Sequence, residues 1–538
     1  MISERKETSQ PYKLTGNLNV YVAFLRDCPR PDTNPERWGK FTDLEWLFEY
    51  VQKLGFNAVL LMPFTEAVDL GNGDYSPYTQ LSPYIIDSRH IDWECVSYTG
   101  QTPQEKFVFF IQSAEYEYLQ FKENAFIKEY AEFKRMKGLS DSQIDFLIFE
   151  QFVAKKQIIK ALNYAHELGL SVLYDQPFFR ATEGLDAEIH PQYFSKDRQG
   201  KIKRAIYQKP GETKPQQEWR TLAEYDFEVL RNKNYKFYIA PIVYFIEELG
   251  FDGVRLDAFH YGYSEEQGLY EAVKEALEET DALIIPENLG SFNSEEVDNK
   301  SLSLGYIPYA NPGFCLDSLR SLINLIKRHD KYFCVSSTHD TERIPDFYRN
   351  IFAPNTSDKV IAMFIHTIYA IFSHTFVILF GDEYISNHRI NIPGTVHPWK
   401  SSAFWSNPHF DIRTHIQRLS FLRARNPFLA HPNLINEHIT RHNYGSNDEH
   451  EVIAYTISSP ERKEHIVIIV NVSDQVKTGQ AFIGINNLGI NIEKEFKFYD
   501  SVEDKIYRFK PLENVYEDGS AFYKLAPYQI HIWEHNIP

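Results

Sequence analysis

Three short stretches set acids beside residues that would tune them: Gly253-Val254-Arg255-Leu256-Asp257-Ala258-Phe259-His260, Ile284-Ile285-Pro286-Glu287 and Thr338-His339-Asp340. Arg255 and Asp257 are two positions apart. In a strand, residues i and i+2 share a face, so both side chains point the same way. A guanidinium beside a carboxylate keeps it ionised, as a nucleophile must be. Glu287 has the longer side chain and follows an apolar run, which suits a proton donor. Asp257, Glu287 and Asp340 would together supply nucleophilic and acid–base chemistry, with His339 and Asp340 binding ring hydroxyls. Taken by itself, Arg255-x-Asp257 reads equally as a buried structural ion pair.

The elements that must carry these residues follow a pattern. Asn17 to Leu25 reads as a strand, Asp43 to Leu54 as an amphipathic helix closed by Gly55, and Asn57 to Met62 as a strand covered on both faces. Asp141 to Gly169 reads as a helix capped by Ser140 or Asp141, and Leu170 to Tyr174 as a strand ending in Asp175. An apolar helix over Tyr238 to Leu249 leads, through Gly250, to the strand that ends in Asp257. Ala282 to Ile285, Phe333 to Thr338 and Phe376 to Phe380 read as further strands, ending at Glu287, His339-Asp340 and Gly381-Asp382-Glu383. Alternating strands and helices build a parallel sheet. In a (β/α)8 barrel the active site lies at the C-terminal ends of the strands. Scattered structural acids would not favour those ends, so the pattern favours catalysis.

The expected architecture is α/β: a (β/α)8 TIM barrel with an insertion after strand 3 and a C-terminal antiparallel β-sandwich. Residues 1–175 form the first part of the barrel, with a helical insertion at about 100–140. Residues 176–230 form an inserted subdomain, 231–430 the rest of the barrel, and 431–538 the β-sandwich. Gly71 to Tyr78 is a Gly- and Tyr-rich loop after the second strand, and its tyrosines suit sugar stacking.

At 538 residues, one large and one smaller domain are expected. The net charge of −18 argues against nucleic acid and anionic membrane as partners. The N-terminus shows no apolar signal region, and the four cysteines are far apart, so a cytoplasmic location with reduced thiols is the simplest expectation. Val360 to Phe380 has no Lys, Arg, Asp or Glu, but polar Ser373-His374 interrupts it. It reads as a buried helix followed by a buried strand rather than a membrane span.

GVRLDAFH, IIPENLG, STHDTER and LSVLYDQP resemble, in order and strand context, the four signature regions of the α-amylase superfamily, glycoside hydrolase families 13 and 77. The resemblance covers roughly residues 15–430. It implies Asp257 as nucleophile, Glu287 as general acid/base and Asp340 as transition-state stabiliser. It also implies a glucose-holding subsite lined by Arg255, His339, Asp175 and Tyr78, with Asp74 and Tyr75 in the same loop. GDYSPYTQLSPYIID, FEQF, YDQPFF and HPQYFSKDRQGK resemble family 77 amylomaltases, whereas FGDE, SFLRARNPFL and the C-terminal module resemble family 13. Phe179 and Arg180 stand where family 13 usually has a calcium-ligand asparagine and a sugar-binding histidine. No calcium requirement is therefore expected, and the resemblance implies no cofactor.

The implied activity is a retaining α-glycosidase of α-amylase type on α-1,4-linked glucan or maltooligosaccharide. A 4-α-glucanotransferase is the alternative, and a non-catalytic carbohydrate-binding protein on the same fold a third reading. Tyr75, Tyr78, Phe178, Phe179 and Tyr261 supply aromatic surface that would stack an acceptor sugar or simply pack.

Overall fold

The structure is a computed structural model. It describes residues 17–28, 37–68, 76–113, 116–207, 217–259, 268–288, 342–386, 411–430, 435–438, 440–442, 451–461, 464–511 and 518–535, with single positions or pairs at 30, within 304–339 and within 513–515.

Leu18–Ala23, Ala58–Leu61, Ser171–Gln176, Gly253–Leu256, Leu283–Asn288 and Leu304–Gly305 pair successively in one parallel sheet, and Thr375–Leu379 joins Leu18–Ala23 on the other side. Val335 bridges Val377 in parallel, on the edge of Thr375–Leu379 away from Leu18–Ala23. This is the (β/α)8 TIM barrel. Its strands are buried on both faces, which is why they read as continuous apolar runs.

Two registers position the chemistry. Asp175 lies directly opposite Arg255, and Leu256 lies opposite Pro286. One further step along each chain brings Asp257 and Glu287 to the same level, at the C-terminal ends of adjacent strands.

Local chemistry explains the helices beneath. Ser140 caps Asp141–Glu167 in a reciprocal capping box with Gln143. The run before Asp257 is helical over Lys236–Val243, then widens to a π-helical turn over Tyr244–Leu249, with Pro241 inside the helix. Gly250, at φ 93°, ends it in the left-handed conformation that suits glycine. The apolar run near 360–380 resolves into the helix Asp358–Phe372 and the buried strand Thr375–Leu379. Among the described residues no helix is long and apolar enough to cross a membrane.

Between the second and third barrel strands the chain forms helices Pro103–Ser113, Tyr116–Lys122 and Ala125–Met136. After the third strand, Arg180–Ala181, Arg204–Tyr207 and Gln217–Ala223 form a small antiparallel sheet.

The C-terminal part is antiparallel. Its six-stranded sheet runs Ile435–His438, Val452–Ser458, His465–Asn471, Ile530–Glu534, Phe496–Asp500, Lys505–Phe509, and a three-stranded sheet comprises Thr440–His442, Lys477–Ala481 and Ala521–Leu525. Strand alternation assigns its faces. Ile453, Tyr455, Ile457, Ile466, Ile468 and Val470 join the barrel's hydrophobic core, whereas Val452, Ala454, Val467, Ile469 and Trp533 join a separate core with Tyr523 and Leu525. One face of the sheet therefore locks the module to the barrel, and the other closes the sandwich.

One half-buried acid gives this scaffold a pH signature. Glu150, on the helix Asp141–Glu167, has its carboxyl pushed up to about 7 by burial and by the charge of Glu66. The folded state thus holds a proton that the unfolded chain releases near its ordinary value. Stability is greatest below that value, falls as pH rises to about 7, and is then constant. At about 1.4 kcal/mol per pKa unit the loss is on the order of 2–3 kcal/mol. Glu150→Gln should flatten this decline in urea-denaturation midpoints between pH 5 and 7.5; an unchanged slope would contradict the assignment.

Candidate active site

Arg255 is the centre of the site. Its Nη1 donates to Asp175 Oδ1 at 2.5 Å and to Asp257 Oδ1 at 3.1 Å, and its Nη2 pairs with Glu287 Oε1 at 3.0 Å. The sequence pattern pairs it with Asp257; the structure adds two further carboxylates, with Asp175 the closest. Side-chain exposure grades the set: Asp175 is 0% exposed, Arg255 5%, Glu287 8% and Asp257 18%. Asp257 is the most open of the three acids. Asp175 is the most enclosed, and it fixes the arginine.

Glu287 has a second hold. Its Oε2 accepts from the backbone N–H of Ala258 at 2.6 Å. Ala258 adopts φ 49°, a left-handed conformation that costs a non-glycine residue roughly 1–2 kcal/mol. That strain aims the N–H just past Asp257 at the neighbouring strand's acid. Asp257 is fixed at its own backbone, where its N–H donates to the Gln176 carbonyl at 3.0 Å.

A second group forms one wall. Tyr78 Oη donates to Asp175 Oδ2 at 2.8 Å and lies 3.0 Å from His339 Nε2. A hydroxyl has one hydrogen, so with that hydrogen on Asp175 the Nε2 of His339 is protonated and donates to Tyr78. The two rings also stack, 5.3 Å apart at 12°, and Phe24 meets His339 edge-on. Burial pushes the Asp175 carboxyl up, opposed by Arg255, His339 and the Tyr78 hydroxyl. Burial disfavours the Arg255 cation, but Asp175, Glu287 and Asp257 outweigh this and hold the guanidinium firmly charged. Three acids against one arginine leave excess negative charge, the setting in which one carboxyl of a group retains a proton.

Asp175, Arg255, Asp257, Glu287, Tyr78 and His339 are thus linked. Asp340, Asp74, Tyr75 and Tyr261 lie outside the described residues. The other aromatic candidates are packing. Phe178 and Phe179 are buried; Phe178 meets Tyr225, Tyr238 and Phe259, and Phe179 stacks on Tyr225. Arg180 is buried too, with Nε on Asp186 at 3.2 Å and Nη1 on the Pro177 carbonyl at 2.9 Å.

Asp382 and Glu383, which also follow a barrel strand, have structural partners. Asp382 pairs with Arg343 at 2.9 Å, and Glu383 accepts from Tyr21 at 2.6 Å and Tyr50 at 3.0 Å. The resemblance groups Tyr78 with Asp175 and His339, but the hydrogen bonds by which Tyr78 clasps them, and the Ala258 N–H, carry no local sequence signal. Asp175 facing Arg255 follows only once the strand register is known.

Removing the central charge should expose this balance. Arg255→Met leaves buried carboxylates uncompensated and should cost about 3–5 kcal/mol of stability at pH 7. The deficit should shrink toward pH 5 as the acids take up protons. Urea denaturation at both pH values measures it; a deficit independent of pH would refute an electrostatic origin.

No curated protein matches the chain by sequence. A family model described as 4-alpha-glucanotransferase matches residues 107–261, the segment bearing Asp175, Arg255 and Asp257. Among solved structures, a noncanonic maltogenic alpha-amylase from Thermotoga neapolitana is similar at 18% identity and TM-score 0.63, covering 97% of this chain and 99% of that one. An amylomaltase from Streptococcus agalactiae, in complex with acarbose, is similar at 15% identity and TM-score 0.58, over 76% of this chain and 99% of that one. A debranching enzyme from Nostoc punctiforme is similar at 14% identity and TM-score 0.59, over 98% and 99%. The chain therefore shares its fold with these amylase, amylomaltase and debranching-enzyme structures, and the barrel segment that carries its central arginine matches the 4-alpha-glucanotransferase family model.

Proposed function

We propose that the protein cleaves α-1,4-glucosidic bonds in glucans or maltooligosaccharides with retention of configuration, through a covalent Asp257 intermediate. One observation carries this reading: a single guanidinium holds Asp257 and Glu287 side by side at the ends of adjacent barrel strands. Neighbouring strands are about 4.8 Å apart. A retaining pair needs carboxyl groups roughly 5–5.5 Å apart.

In the first step Asp257 attacks the anomeric carbon while Glu287 gives its proton to the departing glycosidic oxygen. The product is a glycosyl-aspartate ester and a shortened sugar. In the second step Glu287 takes a proton from the incoming hydroxyl, which attacks the same carbon and frees Asp257. Arg255 keeps Asp257 ionised between turnovers. The wall of Tyr78, Asp175 and His339 would hold the reacting glucose, and Asp340, next to His339 in the chain, would steady the positive charge that develops on the ring.

The incoming hydroxyl belongs to water in a hydrolase and to another sugar in a transferase. Hydrolysis is the first reading, because the maltogenic amylase covers nearly the whole chain, β module included, whereas the amylomaltase covers 76% of it. The 4-alpha-glucanotransferase segment supports the second reading, since it spans the strands that carry the nucleophile. Acceptor choice depends on how well the site excludes water.

Two measurements test this. Asp257→Asn should lose several orders of magnitude in turnover while keeping its denaturation midpoint, and a fluorinated glycosyl donor should label Asp257 in the unaltered protein. A label on another residue, or an active variant, would overturn the assignment. With maltotriose, a hydrolase yields glucose and maltose with reducing ends rising in step with cleavage. A ladder of longer sugars at constant reducing ends would select the transferase, and an inert outcome with all α-glucosides would exclude both.

A further inference from the structure

The C-terminal module contains a group of side chains that the barrel chemistry does not use. Asp500 ends the strand Phe496–Asp500, Glu503 lies in the following turn, and His531 sits on the strand Ile530–Glu534. Ligand atoms of these three residues all lie within 4.8 Å of one another. Asp500 and His531 are buried, with side chains 0% and 3% exposed, so this is not a solvated acidic patch.

One nitrogen of this group is set apart by its hydrogen bonds. His531 Nε2 lies 3.1 Å from the Lys524 carbonyl, which can only accept, so Nε2 carries a proton. Nδ1 lies 3.1 Å from the Tyr507 hydroxyl oxygen. Tyr507, however, sends its hydrogen to Glu503 Oε2 at 2.6 Å. A neutral His531 therefore turns a bare nitrogen lone pair toward oxygen in a buried place. Turning the Tyr507 hydrogen to Nδ1 instead would leave the 2.6 Å contact with Glu503 without one, so a proton or a metal cation beside Nδ1 is what relieves the group.

The distances favour the metal. Nδ1 is 3.7 Å from Asp500 Oδ2 and 3.8 Å from Glu503 Oε2. These are too long for direct hydrogen bonds. They are close to the roughly 3.4 Å that separates ligand atoms about 2.1 Å from a shared tetrahedral ion. The charges agree, because two carboxylates and a neutral imidazole balance a divalent cation, whereas one proton leaves an excess acid. The supports have the form seen around metal ligands. Asp500 Oδ1 accepts from the Val502 and Glu503 N–H groups, its Oδ2 accepts from Ile532 N–H, Tyr507 orients Glu503, and the Lys524 carbonyl orients His531. Lys505, the nearby cation, lies over the face of the Tyr507 ring at 4.6 Å rather than at its hydroxyl.

We propose that Asp500, Glu503 and His531 bind one divalent cation of the zinc type, which pins the turn between two strands of the β module to the strand beside them. One nitrogen and two carboxylate oxygens suit zinc better than calcium, which takes six to eight oxygens. The proposal is independent of the barrel's activity.

The test uses the full chain, stripped with chelator and titrated with zinc chloride. Calorimetry and elemental analysis should give one zinc per chain, and the thermal midpoint should rise with zinc but not with calcium. Glu503→Gln keeps the side chain's size at a partly exposed position, so it should fold; it and His531→Asn should each weaken zinc binding by at least about tenfold. Their near-ultraviolet circular dichroism should match that of the unaltered chain, which separates lost binding from lost folding. A chain that takes up no zinc, zinc binding unaffected by both substitutions, or a midpoint that follows pH but not zinc would each overturn the site. The last outcome would mean that a proton occupies His531 Nδ1.

Discussion

The barrel's rim depends on a charge imbalance held in place by one side chain. Arg255 is buried where an unpaired guanidinium would be prohibitively costly, and it faces three carboxylates from three adjacent strands. The arrangement works because the partners differ in exposure. Fully enclosed Asp175 supplies the permanent counter-charge. Asp257 and Glu287, nearer the opening, share what remains. The arginine is planar and forked, so its two terminal nitrogens can address different strands at once. A lysine could neutralise one acid but could not orient three.

The supporting structure fits that demand. Parallel pairing sets Asp175 opposite Arg255 and brings Asp257 level with Glu287. The left-handed Ala258 turns a backbone N–H toward Glu287. Tyr78 then ties the counter-charge to His339. Below the rim, a continuous apolar core runs from the barrel into one face of the C-terminal sheet, so the two parts pack as a single body of side chains.

Much of this is legible in the chain. The i, i+2 spacing of Arg255 and Asp257 gives their shared direction, apolar runs closed by Gly or Pro give the strands, and Ser140 marks the start of a long helix. What stays hidden is what depends on register between distant segments. Asp175 lies 80 residues from Arg255, and no local pattern pairs them. The same limit makes acids at strand ends look more uniform than they are: Asp382 and Glu383 are consumed by Arg343 and two tyrosines from other elements. Phe178 and Phe179 look like sugar platforms because of their neighbours in sequence, but the neighbours that decide are Tyr225 and Tyr238 in space. Asp340 lies outside the described residues, so its place rests on the chain's signature alone.

The clasp between Tyr78 and His339 joins residues 261 positions apart, across almost half the chain. Such a contact is among the last that a polypeptide can make, because the ends of a very long loop must first be brought together. During synthesis the arginine and its three carboxylates are all present well before His339 leaves the ribosome. A nascent chain therefore holds the clustered acids for an interval without the wall that completes their enclosure. Closure of the ring by its final strands is what turns a cluster of charges into a bounded compartment.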